Sequence, residues 1–335
     1  MIIYFMRIVR NFLVRSNLGL ITAGLLMLSG LGSPRLSLAG EIPVERVVKL
    51  ALVSTVIKKE IEVTQSGENL AITLYYQPGS LQAHSSAVVF LPGLMADVDQ
   101  YESYAMALAA EGFIVVAHDW YSPITSDVEL ARDAKLISEW LVETVGTDRS
   151  RIGVAGHSMG AKDAVLAAEQ YGGFASIVAI DPDDSGDVSA VRDYVSKLAS
   201  PLLLIGAEVA WKAPSICAPR EENYQRFFEN SPAGTIELTL KDADHVQMLD
   251  EPERFGYTIC RCGTADSRQV HDVALKATVA FFMEHLQSGH LALAAMPAGQ
   301  TRTRVAQALN RMLPVAQTGG PDYPFGSRGF RPDSL

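Results

Sequence analysis

Three cysteines in 335 residues are too few for a disulfide-built scaffold, and Cys217, Cys260 and Cys262 match no zinc-ligand spacing. Basic runs are also missing. The chain has 38 acidic against 28 basic residues, a formal net charge of −10, and none of the Lys/Arg clusters that a phosphate backbone needs as a partner. Nucleic acid is therefore excluded. Aromatics are only 8% and charged residues only 20%, yet 48% of residues are hydrophobic, which excludes a disordered or collagen-like chain. There is no internal repeat and no sign of a second folded domain. The apolar run Leu18–Leu31 has 14 residues, short of the roughly 20 that a bilayer span needs.

What is present begins with that run. Mean hydropathy is +0.13, high for an acidic chain, and much of the apolarity is concentrated near the N-terminus. Arg7, Arg10 and Arg15 precede the run, no acid occurs before Glu41, and Ser37-Leu38-Ala39 offers a small-x-small cleavage pattern. Residues 1–39 read as an export signal. Its removal takes four arginines and no acid, leaving 24 basic against 38 acidic residues, a net charge of −14. The expected location is a periplasm, a thylakoid lumen or the medium, with no stable membrane span after cleavage.

Residues 41–289 alternate strand and helix patterns. Strands are predicted at Glu60–Thr64, Ala71–Tyr76, Ala87–Leu91, Phe113–Ala117, Arg151–Ala155, Ser176–Ile180, Leu202–Gly206 and Thr235–Leu240. From the third onward they are nearly continuous apolar runs, as buried parallel strands are. Helices are predicted at Tyr101–Glu111, Val128–Val145, Ala161–Gln170, Val188–Leu198, Glu221–Glu229 and Gln269–Gln287. This is an α/β pattern: an eight-stranded, mainly parallel sheet flanked by helices on both faces. Residues 290–335, rich in Ala, Pro, Gly and Arg, read as a flexible tail.

The chemistry centres on Gly156-His157-Ser158-Met159-Gly160. This G-x-S-x-G follows an apolar strand and precedes a helical run, the context of a nucleophile elbow in an α/β-hydrolase fold. Glycines flank the serine because side chains there would collide with neighbouring backbone. A serine hydroxyl needs a base, and the chain order in this fold is Ser, acid, His. His245, in the loop after the last strand, hangs where the base belongs. His271, His285 and His290 read as surface histidines, and His157 as a residue packed beside the strand. For the acid, Asp181 and Glu208 both end parallel strands, and position alone leaves both open. Asp183 and Asp184 read as turn residues after Pro182. The amides of Met159 and of Leu94, in the turn Leu91-Pro92-Gly93-Leu94, are placed to form an oxyanion hole. Met95, Trp211, Ile216 and Met248 are candidate apolar pocket residues.

From about Ala87 to Leu286 the sequence resembles the chlorophyllase family of α/β-hydrolases. The resemblance is carried by Gly112-Phe113-Ile114-Val115-Val116-Ala117, by Trp140-Leu141, by Gly156-His157-Ser158-Met159-Gly160-Ala161-Lys162 and by Ile180-Asp181-Pro182. Cys217-Ala218-Pro219 with Asn223 and Phe227-Phe228, the loop Asp244-His245-Val246-Gln247-Met248-Leu249-Asp250, and Cys260-Arg261-Cys262 add to it. The resemblance implies Ser158 as nucleophile, Asp181 rather than Glu208 as acid, and His245 as base. It also implies hydrolysis of the phytyl ester of chlorophyll to chlorophyllide and phytol through an acyl-enzyme. No metal or organic cofactor is implied. Two departures bear on substrate: Met159 stands where plant chlorophyllases typically carry Arg, and Ala161 where they carry Gly.

Export permits disulfides, so Cys217 is expected to pair with Cys260 or Cys262, which are too close to bridge each other in a relaxed geometry. Two alternative functions remain compatible with the motifs. One is a general esterase, lipase or cutinase-like polyester hydrolase. The other is an inactive hydrolase-fold binding protein.

Overall fold

A computed structural model describes residues 55–287, apart from 83, 119–125, 213–214, 216 and 255–256. The signal expected over 1–39 and the tail expected over 290–335 lie outside the described residues. The chain enters through a hairpin. β1 (Ile57–Gln65) pairs antiparallel with β2 (Glu68–Tyr76). Ser66 and Gly67 join them with φ of 52° and 86°, the two positive values that match a hairpin turn to strand twist.

Six strands follow: β3 (Ala87–Leu91), β4 (Ile114–His118), β5 (Ile152–His157), β6 (Ser176–Ile180), β7 (Leu202–Ala207) and β8 (Ile236–Leu240). The sheet order is β1-β2-β4-β3-β5-β6-β7-β8. β2 pairs antiparallel with β4, and every pair from β4 across to β8 is parallel. β3 to β7 are buried along their whole length, which explains their lack of polar alternation.

Helices cover both faces. They are α1 (Glu102–Ala110), α2 (Asp127–Trp140), α3 (Met159–Leu166), α4 (Ala190–Asp193), α5 (Glu208–Lys212), α6 (Tyr224–Asn230) and α7 (Ser267–Phe282). Strand residues divide by the period of two. Val88, Phe90 and Val115 join α1 and α7 in one core, with Leu108, Phe281 and Phe282. Val89, Leu91 and Val116 join α2 and α3 in the other, with Ile137 and Val165. Each fully buried Leu, Ile, Val or Phe stabilises by roughly 1.5–3 kcal/mol. Among the described residues, no helix is long and apolar enough to cross a membrane.

The departures from the sequence pattern have local causes. The helix predicted over Val188–Leu198 forms only at Ala190–Asp193, after the Ser189 side chain caps the Arg192 amide. Tyr194 then leaves helical geometry, at φ −129°, and a 3-10 turn Val195–Lys197 follows. The helix predicted from Glu221 starts at Tyr224, because the Asn223 side chain accepts the Gln225 amide and sets the boundary. Phe113, Arg151 and Thr235 fall just outside β4, β5 and β8. The short helix α5 was not predicted.

Candidate active site

β5 ends at His157, α3 begins at Met159, and Ser158 between them has φ 59° and ψ −127°. That conformation is strained for a side-chain-bearing residue, and it persists only where the surroundings enforce it. Here the Ser158 amide donates to the Ile180 carbonyl at 3.0 Å, and the Ser158 carbonyl accepts the amides of Ala161 at 3.1 Å and Asp183 at 3.2 Å. The close approach of α3 explains both flanking glycines. A Cβ on Gly156 would lie 2.2 Å from the Gly160 carbonyl oxygen, and one on Gly160 would lie 2.3 Å from that of Pro92. Gly160→Ala is therefore expected to destabilise the fold by about 4 kcal/mol or more. Denaturant unfolding checks this, and a loss under 1 kcal/mol would contradict the packing argument.

His245 opens a 3-10 turn, His245–Met248, that follows β8. Its Nε2 lies 2.8 Å from Ser158 Oγ, and its Nδ1 lies 2.7 Å from Asp181 Oδ2. The other Asp181 oxygen accepts the Ala207 amide at 2.8 Å. Asp181 Oδ2 cannot donate as a carboxylate, so Nδ1 carries the proton and Nε2 is left to accept from the serine. Glu208, at the head of α5, accepts the Asp242 amide at 3.1 Å. Of the two acids that chain position left open, the structure brings Asp181 to the histidine. Asp244 accepts the amides of Val246, Gln247, Cys262 and Gly263, so it fixes the histidine turn to the segment after Cys260. Asp244-x-x-Gln247 is a capping-box pattern, a signal in the chain that the sequence reading did not use.

Burial opposes charge on His245, but the hydrogen bond and charge of Asp181, with the charges of Asp183 and Asp244, outweigh it and raise its pKa above 6.5. His157 goes the other way. Burial, then the neighbouring charge of His245, holds it well below 6.5. His157 is thus neutral and bridges two loops. Its Nε2 donates to the His245 carbonyl at 2.9 Å, and its Nδ1 accepts from Tyr101 Oη at 2.9 Å. Tyr101 Oη in turn accepts the Gly93 amide at 3.0 Å. The sequence reading had His157 only as packing, and missed Tyr101, which no motif marks. Of the histidines read as surface residues, His271 is partly buried and bonds Asp250 and Ser103, His285 is partly buried against the Phe281 ring, and His290 lies outside the described residues.

The family model for chlorophyllase matches residues 50–308. The chain belongs to the chlorophyllase family. It is 26% identical over 185 residues to Chlorophyllase-1, chloroplastic, of Citrus sinensis, covering 50% of this chain and 56% of that one. It is 26% identical over 211 residues to Chlorophyllase-2 of Arabidopsis thaliana, covering 52% and 66%. The chain thus spans less than two-thirds of the length of these curated chlorophyllases. The solved structure of a ferulic acid esterase from Streptomyces cinnamoneus superposes with a TM-score of 0.56 at 17% identity, over 75% of this chain and 96% of that one. That likeness shows the shared α/β-hydrolase fold.

In this chlorophyllase-family chain, Ser158 and His245 open onto a cleft of about 460 Å³. Gly93, Leu94 and Met159 line it, and the Leu94 and Met159 amides have no acceptor among the described residues. Met95 and Ile259 line the cleft, 71% and 67% exposed, Met95 with φ 63°, and Tyr257, also in the lining, donates its hydroxyl to the Met95 carbonyl at 3.3 Å. Met248, expected in the pocket, is not there. The 3-10 turn carries it beneath the site into the core, where Tyr104 Oη donates to its carbonyl, and Leu249 lines the cleft in its place. Ile216 and the side chain of Trp211 lie outside the described residues.

Cys217 and Cys260 both line the cleft and are joined in a disulfide with a Cα–Cα distance of 5.6 Å, while Cys262 is free. The bond ties segments 43 residues apart. Loop-closure entropy gives such a cross-link about 2–4 kcal/mol of stabilisation. Reduction, or Cys217→Ser, is expected to lower the unfolding free energy by that amount, read from urea titrations with and without reductant. An unchanged midpoint would contradict it.

Proposed function

We propose that this chain is a serine carboxylesterase of hydrophobic esters, with the phytyl ester of chlorophyll as substrate. The observation that carries the reading is the relay from Ser158 Oγ through His245 to Asp181, at 2.8 Å and 2.7 Å, facing a cleft with apolar rim residues. Family membership supports the chlorophyll ester as the substrate class. Ser158 Oγ attacks the ester carbonyl as His245 Nε2 takes its proton, and the Leu94 and Met159 amides hold the oxyanion. His245 returns the proton to the departing alcohol, phytol. Water then attacks the acyl-enzyme, again with His245 as base, and releases the acid.

The test is comparison of chlorophyll a with short and long p-nitrophenyl esters. Chlorophyllide release that disappears in Ser158→Ala supports the proposal. Turnover of the simple esters alone would leave the second reading, a general or cutinase-like esterase, which Met159 in the oxyanion position favours. Absence of fluorophosphonate labelling in folded protein would leave only a binding role.

The raised His245 pKa sets the pH dependence. The base is lost as pH falls through that pKa, so the acid limb of kcat/KM is expected above pH 6.5. A limb below 6.5 would contradict the electrostatic account. An exported mature form is part of the same proposal, on the arginine-flanked apolar run before Ala39. N-terminal sequencing of the expressed protein tests it, with Gly40 as the first residue.

A further inference from the structure

We propose that Asp183 is a specificity-determining residue of the cleft, whose carboxylate favours uncharged acyl groups and repels the carboxylate product. The inference rests on the ester-hydrolase reading above and extends it to the acyl side of the substrate.

Asp183 and Asp184 are adjacent and alike in sequence, but the fold uses them differently. Asp184 accepts the amides of Ala190 and Val191 and the Ser189 hydroxyl, so it serves the start of α4. Asp183 lines the cleft beside Ser158 and His245, only 8% exposed. Its amide donates to the Ser158 carbonyl at 3.2 Å, and its Oδ1 accepts the Ser185 amide at 3.1 Å, which fixes the side chain against the elbow. Its charge is also among those that favour the His245 imidazolium.

The loop that carries Asp183 is held from beneath. Lys162, fully buried on α3, pairs with Asp127 Oδ1 at 2.7 Å and donates to the carbonyls of Ser185 and Val188. Asp127 Oδ2 accepts the amides of Asp187 and Val188, each at 3.1 Å. Gly186, at φ 118°, lets the loop close on this pair: a Cβ there would lie 2.7 Å from both Lys162 Nζ and Asp127 Oδ2. Among the described residues, the Lys or Arg that lines the cleft is Arg254, and it is engaged by Asp99 at 3.2 Å and Asp97 at 3.5 Å. Asp183 is thus a fixed carboxylate in the lining of the cleft that Ser158 and His245 share.

Ester hydrolysis turns a neutral acyl group into an anion at Ser158. A neutral ester meets little opposition from Asp183, whereas the released carboxylate, or an acyl chain bearing its own carboxylate, is repelled in a partly desolvated cleft. The probes are p-nitrophenyl butyrate, the p-nitrophenyl monoester of succinic acid, and butyrate as product inhibitor. In Asp183→Asn, the kcat/KM ratio of the succinate monoester to the butyrate ester is expected to rise about tenfold, and butyrate to inhibit about fivefold more tightly. In the wild type the same ratio is expected to rise as ionic strength goes from roughly 0.05 to 0.5 M, through screening. A salt-insensitive ratio in the wild type overturns the inference without any variant, as does an unchanged ratio and inhibition constant in folded Asp183→Asn. If the wild type neither turns over p-nitrophenyl butyrate nor labels with fluorophosphonate, the hydrolase reading itself fails, and this inference with it.

Discussion

Ser158→Ala is expected to lower kcat for ester hydrolysis by about a millionfold, the loss seen when the nucleophile of a serine triad is removed. The geometry makes the test clean. The substitution removes one oxygen, and with it the 2.8 Å hydrogen bond to His245. The backbone of residue 158 anchors the strained turn: its amide donates to Ile180, and its carbonyl accepts from Ala161, Lys162 and Asp183. Those bonds survive in alanine, so stability should change by no more than about 1 kcal/mol. The paired measurements are steady-state hydrolysis of p-nitrophenyl butyrate and a urea unfolding curve. A native-like unfolding curve with activity gone identifies the nucleophile. Retention of more than a hundredth of wild-type kcat would show that another group attacks, and the elbow would then be only a helix start.

The elbow was legible because its residue signature is contiguous in the chain. Ser158 lies between two glycines that the sequence displays; the collision that requires Gly156 falls within the same strand–turn–helix unit, whereas the one that requires Gly160 is with Leu91 and Pro92 at the end of β3. The buried strands were legible for a related reason: β3 to β7 have both faces covered, and continuous apolar runs record that directly. Strand and helix ends were less so, because side-chain caps decide them. Asn223 and Ser189 each stop or start a helix against the apolar pattern. Tyr101 illustrates what pattern cannot reach. It sits 56 residues from His157, and only the fold brings its hydroxyl to 2.9 Å from the ring. Met248 failed for the converse reason. A methionine three residues from the base looks like pocket lining, but one 3-10 turn rotates it from cleft to core. Asp183 and Asp184 look interchangeable in the chain, and the direction of the loop after Pro182 separates them.

Asp181→Asn is expected to lower kcat by about 10⁴-fold, and Glu208→Gln to leave it within about threefold. The difference follows from what surrounds each carboxylate. Asp181 has two demands on it, both from donors: the Ala207 amide at 2.8 Å on one oxygen and His245 Nδ1 at 2.7 Å on the other. An asparagine can satisfy only one with its single oxygen. If that oxygen stays on the Ala207 amide, its NH2 group faces His245 Nδ1, which must then accept. The imidazole proton moves to Nε2, and the ring can no longer take the proton of Ser158. If the amide flips, NH2 meets the Ala207 N–H, two donors in a buried site, at a cost of about 1–3 kcal/mol. Either way the working tautomer is lost while the shape is kept. Glu208 accepts the Asp242 amide, and glutamine retains an oxygen for that bond. Steady-state kcat on p-nitrophenyl butyrate, with fluorophosphonate labelling rates as a second reading of Ser158 reactivity, separates the two. A large loss in Glu208→Gln with Asp181→Asn near wild type would move the acid to the end of β7 and require His245 to swing away from the partner it has here.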